Sequence, residues 1–152
     1  MSEDRFILLE PGQARPGRVA LPPAFAVKAM TADTDGRFSL LEVTVAMDIP
    51  RHTHHAADEC VYVLDGALDV EFDDRTHTAT EGTFVLLPRG VPHALRRAST
   101  PPPRVLQISS PGGWEHYLED LFEAGPTVRT DGELDPKKIN PIAARYDIRY
   151  ET

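Results

Sequence analysis

Six histidines occur in the chain, and three of them fall within the stretch "PRHTHHAADECVYVLDG" (50–66). His52 and His54 are two residues apart, so on an extended backbone their imidazoles point to the same face. Glu59 opens the apolar run that follows, and a bend at "HAAD" returns its carboxylate toward the two rings. Two neutral imidazoles and one carboxylate suit a divalent first-row transition metal. A fourth candidate, His93, follows the turn "PRG" (88–90) and becomes a ligand if its strand pairs near the first. Glu59 is also the candidate catalytic group. His55, next to His54, should face away, and Cys60, next to Glu59, should be a packed thiol. His77 and His116 are expected on the surface. Val61 and Val63 share parity with Glu59, and Leu95 shares parity with His93, so these three are the expected apolar walls of a substrate cavity.

Short strands must position these groups. Short strand-like segments at 5–9, 24–30, 37–47, 60–65, 67–72, 76–80, 83–88, 93–98 and 104–109 are separated by turn residues. That spacing predicts an antiparallel all-β sandwich or barrel. Asp65-Gly66 between two runs reads as a two-residue hairpin turn. Beyond 110 the pattern changes. Trp114, Tyr117, Leu118, Leu121 and Phe122 have helical spacing with Gly125 as a stop. A second short helix is expected with Asn140 as N-cap and Pro141 at its first position, and Asp135-Pro136 is a rival start. Both helices should cover one end of the β structure.

Composition narrows the function. The 152 residues fit one domain spanning 1–152, with a β core at about 37–110 and a helical cap at about 112–152. The formal net charge of −8, without a Lys/Arg cluster, argues against a nucleic-acid partner. The lone cysteine excludes an internal disulfide. The opening "MSEDRFILLEPG" lacks the layout of a secretory leader, and no apolar run approaches a membrane span, so the expected setting is cytoplasmic, without membrane contact.

The two histidine-bearing stretches resemble the cupin superfamily. Its first motif, G-x5-H-x-H-x4-E-x6-G, is matched by His52, His54, Glu59 and Gly66, with Ala46 in place of the leading glycine. Its second, G-x5-P-x-G-x2-H-x3-N, is matched by Gly82, Pro88, Gly90 and His93, with Arg97 in place of the asparagine. The resemblance implies a double-stranded β-helix, or jelly-roll barrel, holding one divalent transition metal (Fe, Ni, Mn, Zn or Cu) on His52, His54, Glu59 and His93. Such a set leaves metal positions open, which is a catalytic arrangement. The small one-cupin proteins it resembles include quercetinase-like dioxygenases and polyketide-tailoring cupins. The implied function is therefore metal-dependent chemistry on a small aromatic or polyketide-type substrate. Non-redox cyclase, isomerase or lyase chemistry, or ligand binding without chemistry, are the alternatives. The resemblance also implies a homodimer, with 5–9 and 24–30 as the edges for pairing.

Overall fold

Alternation of apolar and polar residues builds most of the molecule. The structure, a computed structural model, describes residues 5–152. Nine strands come first: β1 (Phe25–Ala29), β2 (Ser39–Thr44), β3 (Ile49–His54), β4 (Asp58–Asp65), β5 (Ala67–Phe72), β6 (Arg75–Thr80), β7 (Phe84–Leu87), β8 (His93–Arg97) and β9 (Arg104–Ser110). Helix α1 (Trp114–Ala124), the short ribbon β10 (Arg129–Thr130) and β11 (Glu133–Leu134), helix α2 (Pro136–Ala143) and β12 (Ile148–Tyr150) complete the chain.

Two five-stranded antiparallel sheets, in the orders β1-β2-β9-β4-β7 and β12-β3-β8-β5-β6, form the jelly-roll. Leu41 and Val43 of β2 and Val61 and Val63 of β4 turn inward from the first sheet. Leu68 and Val70 of β5 and Leu95 of β8 are buried on the second. The next residue along a strand points out, so Tyr62 is 43% exposed between two fully buried valines.

Several local expectations are corrected. Asp65-Gly66 is not a hairpin: β4 pairs with β7 and β9, while β5 pairs with β6 and β8. It is the corner where the chain changes sheets. Gly66 has φ 79°, and a Cβ there would lie 2.6 Å from Ser99 Oγ and 2.9 Å from Pro103 Cα. Two-residue turns with positive φ at both positions are found instead at Asp73-Asp74 (50° and 59°), joining β5 to β6, and at Asp131-Gly132 (53° and 81°), joining β10 to β11.

Residues 6–9 form no strand. Although the segment is a continuous apolar run, β1 is bonded elsewhere: its Val27 carbonyl accepts from the Arg15 N–H. The edge pairing expected of 5–9 therefore has no strand to rest on, while β1 is an edge strand of the first sheet.

Helix α2 starts at the rival position. Asp135 caps it by accepting from Lys137 N at 3.0 Å, Pro136 takes the first turn, and Pro141 lies inside the helix. Asn140 has a different task. Its amide donates to the Tyr150 carbonyl (2.9 Å) and accepts from the Tyr150 N–H (2.7 Å), acting as a strand partner for β12. No helix among the described residues is long and apolar enough to cross a membrane.

Candidate metal centre

Strand β3 carries His52 and His54 inward, at 1% and 4% exposure. Pro50 lacks an N–H, and the β3–β8 register shifts between Ile49 and His52 to accommodate the irregularity. Register then resumes with His52 directly opposite His93 of β8. Glu59, the first inward residue of β4, reaches in from the other sheet. One ligand atom from each of these four buried side chains lies within 4.8 Å of the others. The structure thus brings together all four residues singled out by spacing.

The chemistry of the donor set fits a cation. His52 Nδ1 lies 2.7 Å from the Pro50 carbonyl and His93 Nδ1 lies 3.2 Å from the Val91 carbonyl. A carbonyl can only accept, so each Nδ1 carries the proton and each Nε2 presents a lone pair. Those lone pairs have little protein to meet. His93 Nε2 and Glu59 Oε2 are buried without any hydrogen-bond partner. His52 Nε2 and His54 Nε2 approach to 3.0 Å, and His54 Nε2 lies 3.4 Å from Glu59 Oε1. Acceptors without partners that converge in one buried place suit a bound cation.

Burial sets the protonation states. It pushes all three histidines below their ordinary value, His54 to about 3, and the positive histidine neighbours add to this for His52 and His54. It pushes Glu59 up to about 7, with Gln107 opposing the rise. Without a cation the cluster therefore favours neutral imidazoles and a neutral carboxyl group at mildly acidic pH.

Other sequence candidates lie where their neighbours put them. His55 and His77 are exposed, and His116 is 44% exposed with Nδ1 3.0 Å from Glu119 Oε1. Cys60 is half-buried, with its thiol pushed up by burial. Val61, Val63 and Leu95 pack in the core at 1%, 0% and 3% exposure. None of the three lines the apolar cavity described next.

That cavity, of about 310 Å³, lies between the barrel and its helical cover. Val43, Val45 and Ile49 line it from the barrel, and Trp114, Leu121 and Phe122 line it from α1. Tyr150 and Trp114 belong to both cavity and cluster. Tyr150 stacks on His52 with ring centroids 4.7 Å apart, and Trp114 packs against His54 at 5.3 Å. Tyr117, also in the wall, donates its hydroxyl to that of Tyr150 at 2.9 Å. Sequence reasoning missed this aromatic layer. The helical spacing of Trp114 and Tyr117 marked a buried face, but nothing local marked Tyr150.

Residues 39–109 match the family described as Cupin domain. The chain carries a cupin domain. Two rice (Oryza sativa subsp. japonica) relatives are similar to it. Germin-like protein 1-1 is 27% identical over 89% of this chain and 71% of its own length. Germin-like protein 5-1 is 36% identical over 63% of this chain, which spans about half (49%) of that relative. Among solved structures, KdgF from Halomonas sp. superposes with a TM-score of 0.53 over 64% of this chain and 87% of that one. At 19% identity this is a likeness of fold alone. The three histidines and the glutamate of the cupin motifs are the residues that form the buried cluster.

Proposed function

We propose that this cupin is a metal-dependent enzyme for a flat, largely apolar molecule with oxygen atoms along one edge, of aromatic or polyketide type. The observation that carries the reading is the convergence of four buried ligand atoms, two of them without any partner, beside an apolar cavity. His52, His54, Glu59 and His93 would hold a divalent transition metal, which when bound supplies Lewis acidity toward an anionic oxygen. The backbone carbonyls of Pro50 and Val91 keep His52 and His93 in the tautomer that exposes Nε2. The cavity walls exclude water and accept a planar hydrocarbon body. Few polar groups converge on them, which disfavours a sugar phosphate. The reading includes dioxygenation of the kind carried out by quercetinase-like cupins. The Tyr117–Tyr150 hydroxyl pair favours a second, non-redox version, such as a cyclase or isomerase, because it offers an O–H to a developing oxyanion without needing O₂.

The test is a titration of the metal-loaded protein with a flavonol and with a hydroxyanthraquinone, followed by absorbance and O₂ consumption. A red-shifted chelate band that vanishes in Glu59→Ala is expected. A band with O₂ uptake supports dioxygenation, and a band without uptake supports the non-redox version. Absence of any shift at millimolar ligand, with binding of small dicarboxylates instead, contradicts an aromatic or polyketide substrate.

A further inference from the structure

The outer face of the first sheet is as apolar as many inner faces. Strand parity turns Leu41, Val61 and Val63 inward, and the residues between them point to solvent. Leu40, Ile108, Cys60 and Leu86 lie side by side in one row across β2, β9, β4 and β7. The next row holds Leu106, Tyr62 and Phe84 on β9, β4 and β7. Phe84 is 59% exposed, Leu86 53% and Tyr62 43%. The other four are half-buried between them. Strand β7 is also the outermost strand of its sheet. An exposed apolar edge strand invites non-specific association unless something covers it.

Charge and shape select the cover. The charged side chains at the two ends of the face are closed as pairs within the chain, Glu42 with Arg104 at 3.2 Å and Asp58 with Arg89 at 3.2 Å. Such a face has little to offer a basic protein, an anionic lipid surface or a phosphate backbone. It is, however, a place where two chains of net charge −8 can approach with little repulsion. A pleated apolar face is matched best by another of the same strand spacing, packed at about 10 Å with side chains interdigitating. A second copy of this chain supplies that spacing. Cys60, the smallest side chain of the face, leaves a hollow bordered by Tyr62, Leu86 and Ile108, while Phe84 and Tyr62 stand proud as knobs. The seven side chains present on the order of 500 Å² per copy. Two copies then bury about 1,000 Å², the lower bound for a specific interface, which suits a reversible dimer.

We propose that the outer face of β9, β4 and β7 is the contact of a twofold homodimer, with two copies of the chain packed sheet on sheet. The contact is isologous, so each copy places its aromatic knobs against the hollow of the other and no apolar face is left over to extend the assembly. It lies across the sheet from β1, at the opposite edge from the pairing that 5–9 and 24–30 suggest. It does not depend on what the cavity binds.

Cys60 is the chain's one cysteine and sits inside the proposed contact, so it reports on the face directly. Sedimentation velocity gives the mass of the purified chain across a micromolar concentration series, and the rate of Cys60 alkylation by N-ethylmaleimide is measured on the same samples. The expected result is a rise from one chain to two, with Cys60 alkylation slowing in step. Phe84→Glu and Leu86→Glu each place a carboxylate on a side chain that stands in solvent in the single chain, and each should weaken self-association by roughly thirtyfold or more with near-native circular dichroism. A chain that stays single throughout the series, with one constant alkylation rate, leaves the face to a different partner and overturns the proposal. A dimer whose Cys60 reacts as fast as in the single chain, or one that persists unweakened in both glutamate variants, places the contact elsewhere and overturns it as well. Should a variant misfold, the alkylation series on the native protein still decides.

Discussion

Loading the metal-free protein with zinc should release a proton at pH 6 and almost none at pH 8. Burial lowers His52, His54 and His93 from the ordinary histidine value, which favours their neutral, ligating form. Glu59, pushed up to about 7, is the group that must ionise. A carboxyl with that value is ~90% protonated at pH 6 and ~10% at pH 8, so the expected release is ~0.9 and ~0.1 protons. The same competition makes apparent zinc affinity rise roughly tenfold from pH 6 to pH 8 and then level off. Calorimetric titration in buffers of different ionisation enthalpy measures both quantities. Glu59→Gln should bind zinc more weakly and lose the proton release. Equal release at the two pH values, or release that survives in Glu59→Gln, refutes the assignment. The stability of the metal-free protein follows with a definite sign. The histidines, lowered from 6.5, cost stability as pH falls below that value, with the His54 contribution running down to about 3. Glu59, raised from 4.5, contributes stability that is lost as pH rises through about 7. Three groups oppose one, so the acid side should be the weaker side in urea melts.

The other predictions concern what holds the site in place. Asn140→Ala removes both hydrogen bonds that pin Tyr150 and should cost roughly 2–4 kcal/mol in a denaturant titration. A cost below about 0.5 kcal/mol, the lower end for a single hydrogen bond, shows that β12 does not depend on that side chain. Gly66→Ala meets Ser99 and Pro103 as well as an unfavourable φ and should destabilise more than Gly82→Ala, where φ is 83° but no atom lies within 4 Å. Equal losses in thermal melts show that the corner relaxes freely. Leu41→Ala, at a fully buried position of β2, should cost about 2–5 kcal/mol.

The four cluster residues were legible because strand parity is strict. His52 and His54 must share a face, and residue types with spacing supplied the rest. The inward valines of β4 and Leu95 of β8 followed from the same period of two. Signals with two physical meanings misled. Asp-Gly between apolar runs satisfies either a hairpin or a corner, and only the pairing of β4 with β9 decides between them. The apolar run at 6–9 reads as a strand, yet no strand forms there. Strand β12 spans three residues, too few to show a period, yet it places Tyr150 on His52. The start of α2 turned on which Pro would take the first turn, and the Asp135 side chain settled it. The aromatic layer joins residues far apart in sequence, so no local pattern encodes it.

The central claim is that His52, His54, Glu59 and His93 form one metal site. It is tested most directly by elemental analysis of the purified native-sequence protein after zinc loading and exhaustive dialysis, alongside Glu59→Ala and His93→Ala. The account predicts close to one divalent metal per chain in the native protein and a large loss in both variants, with near-native circular dichroism. Full occupancy retained in both variants, or a native protein that holds no zinc after loading, would contradict it.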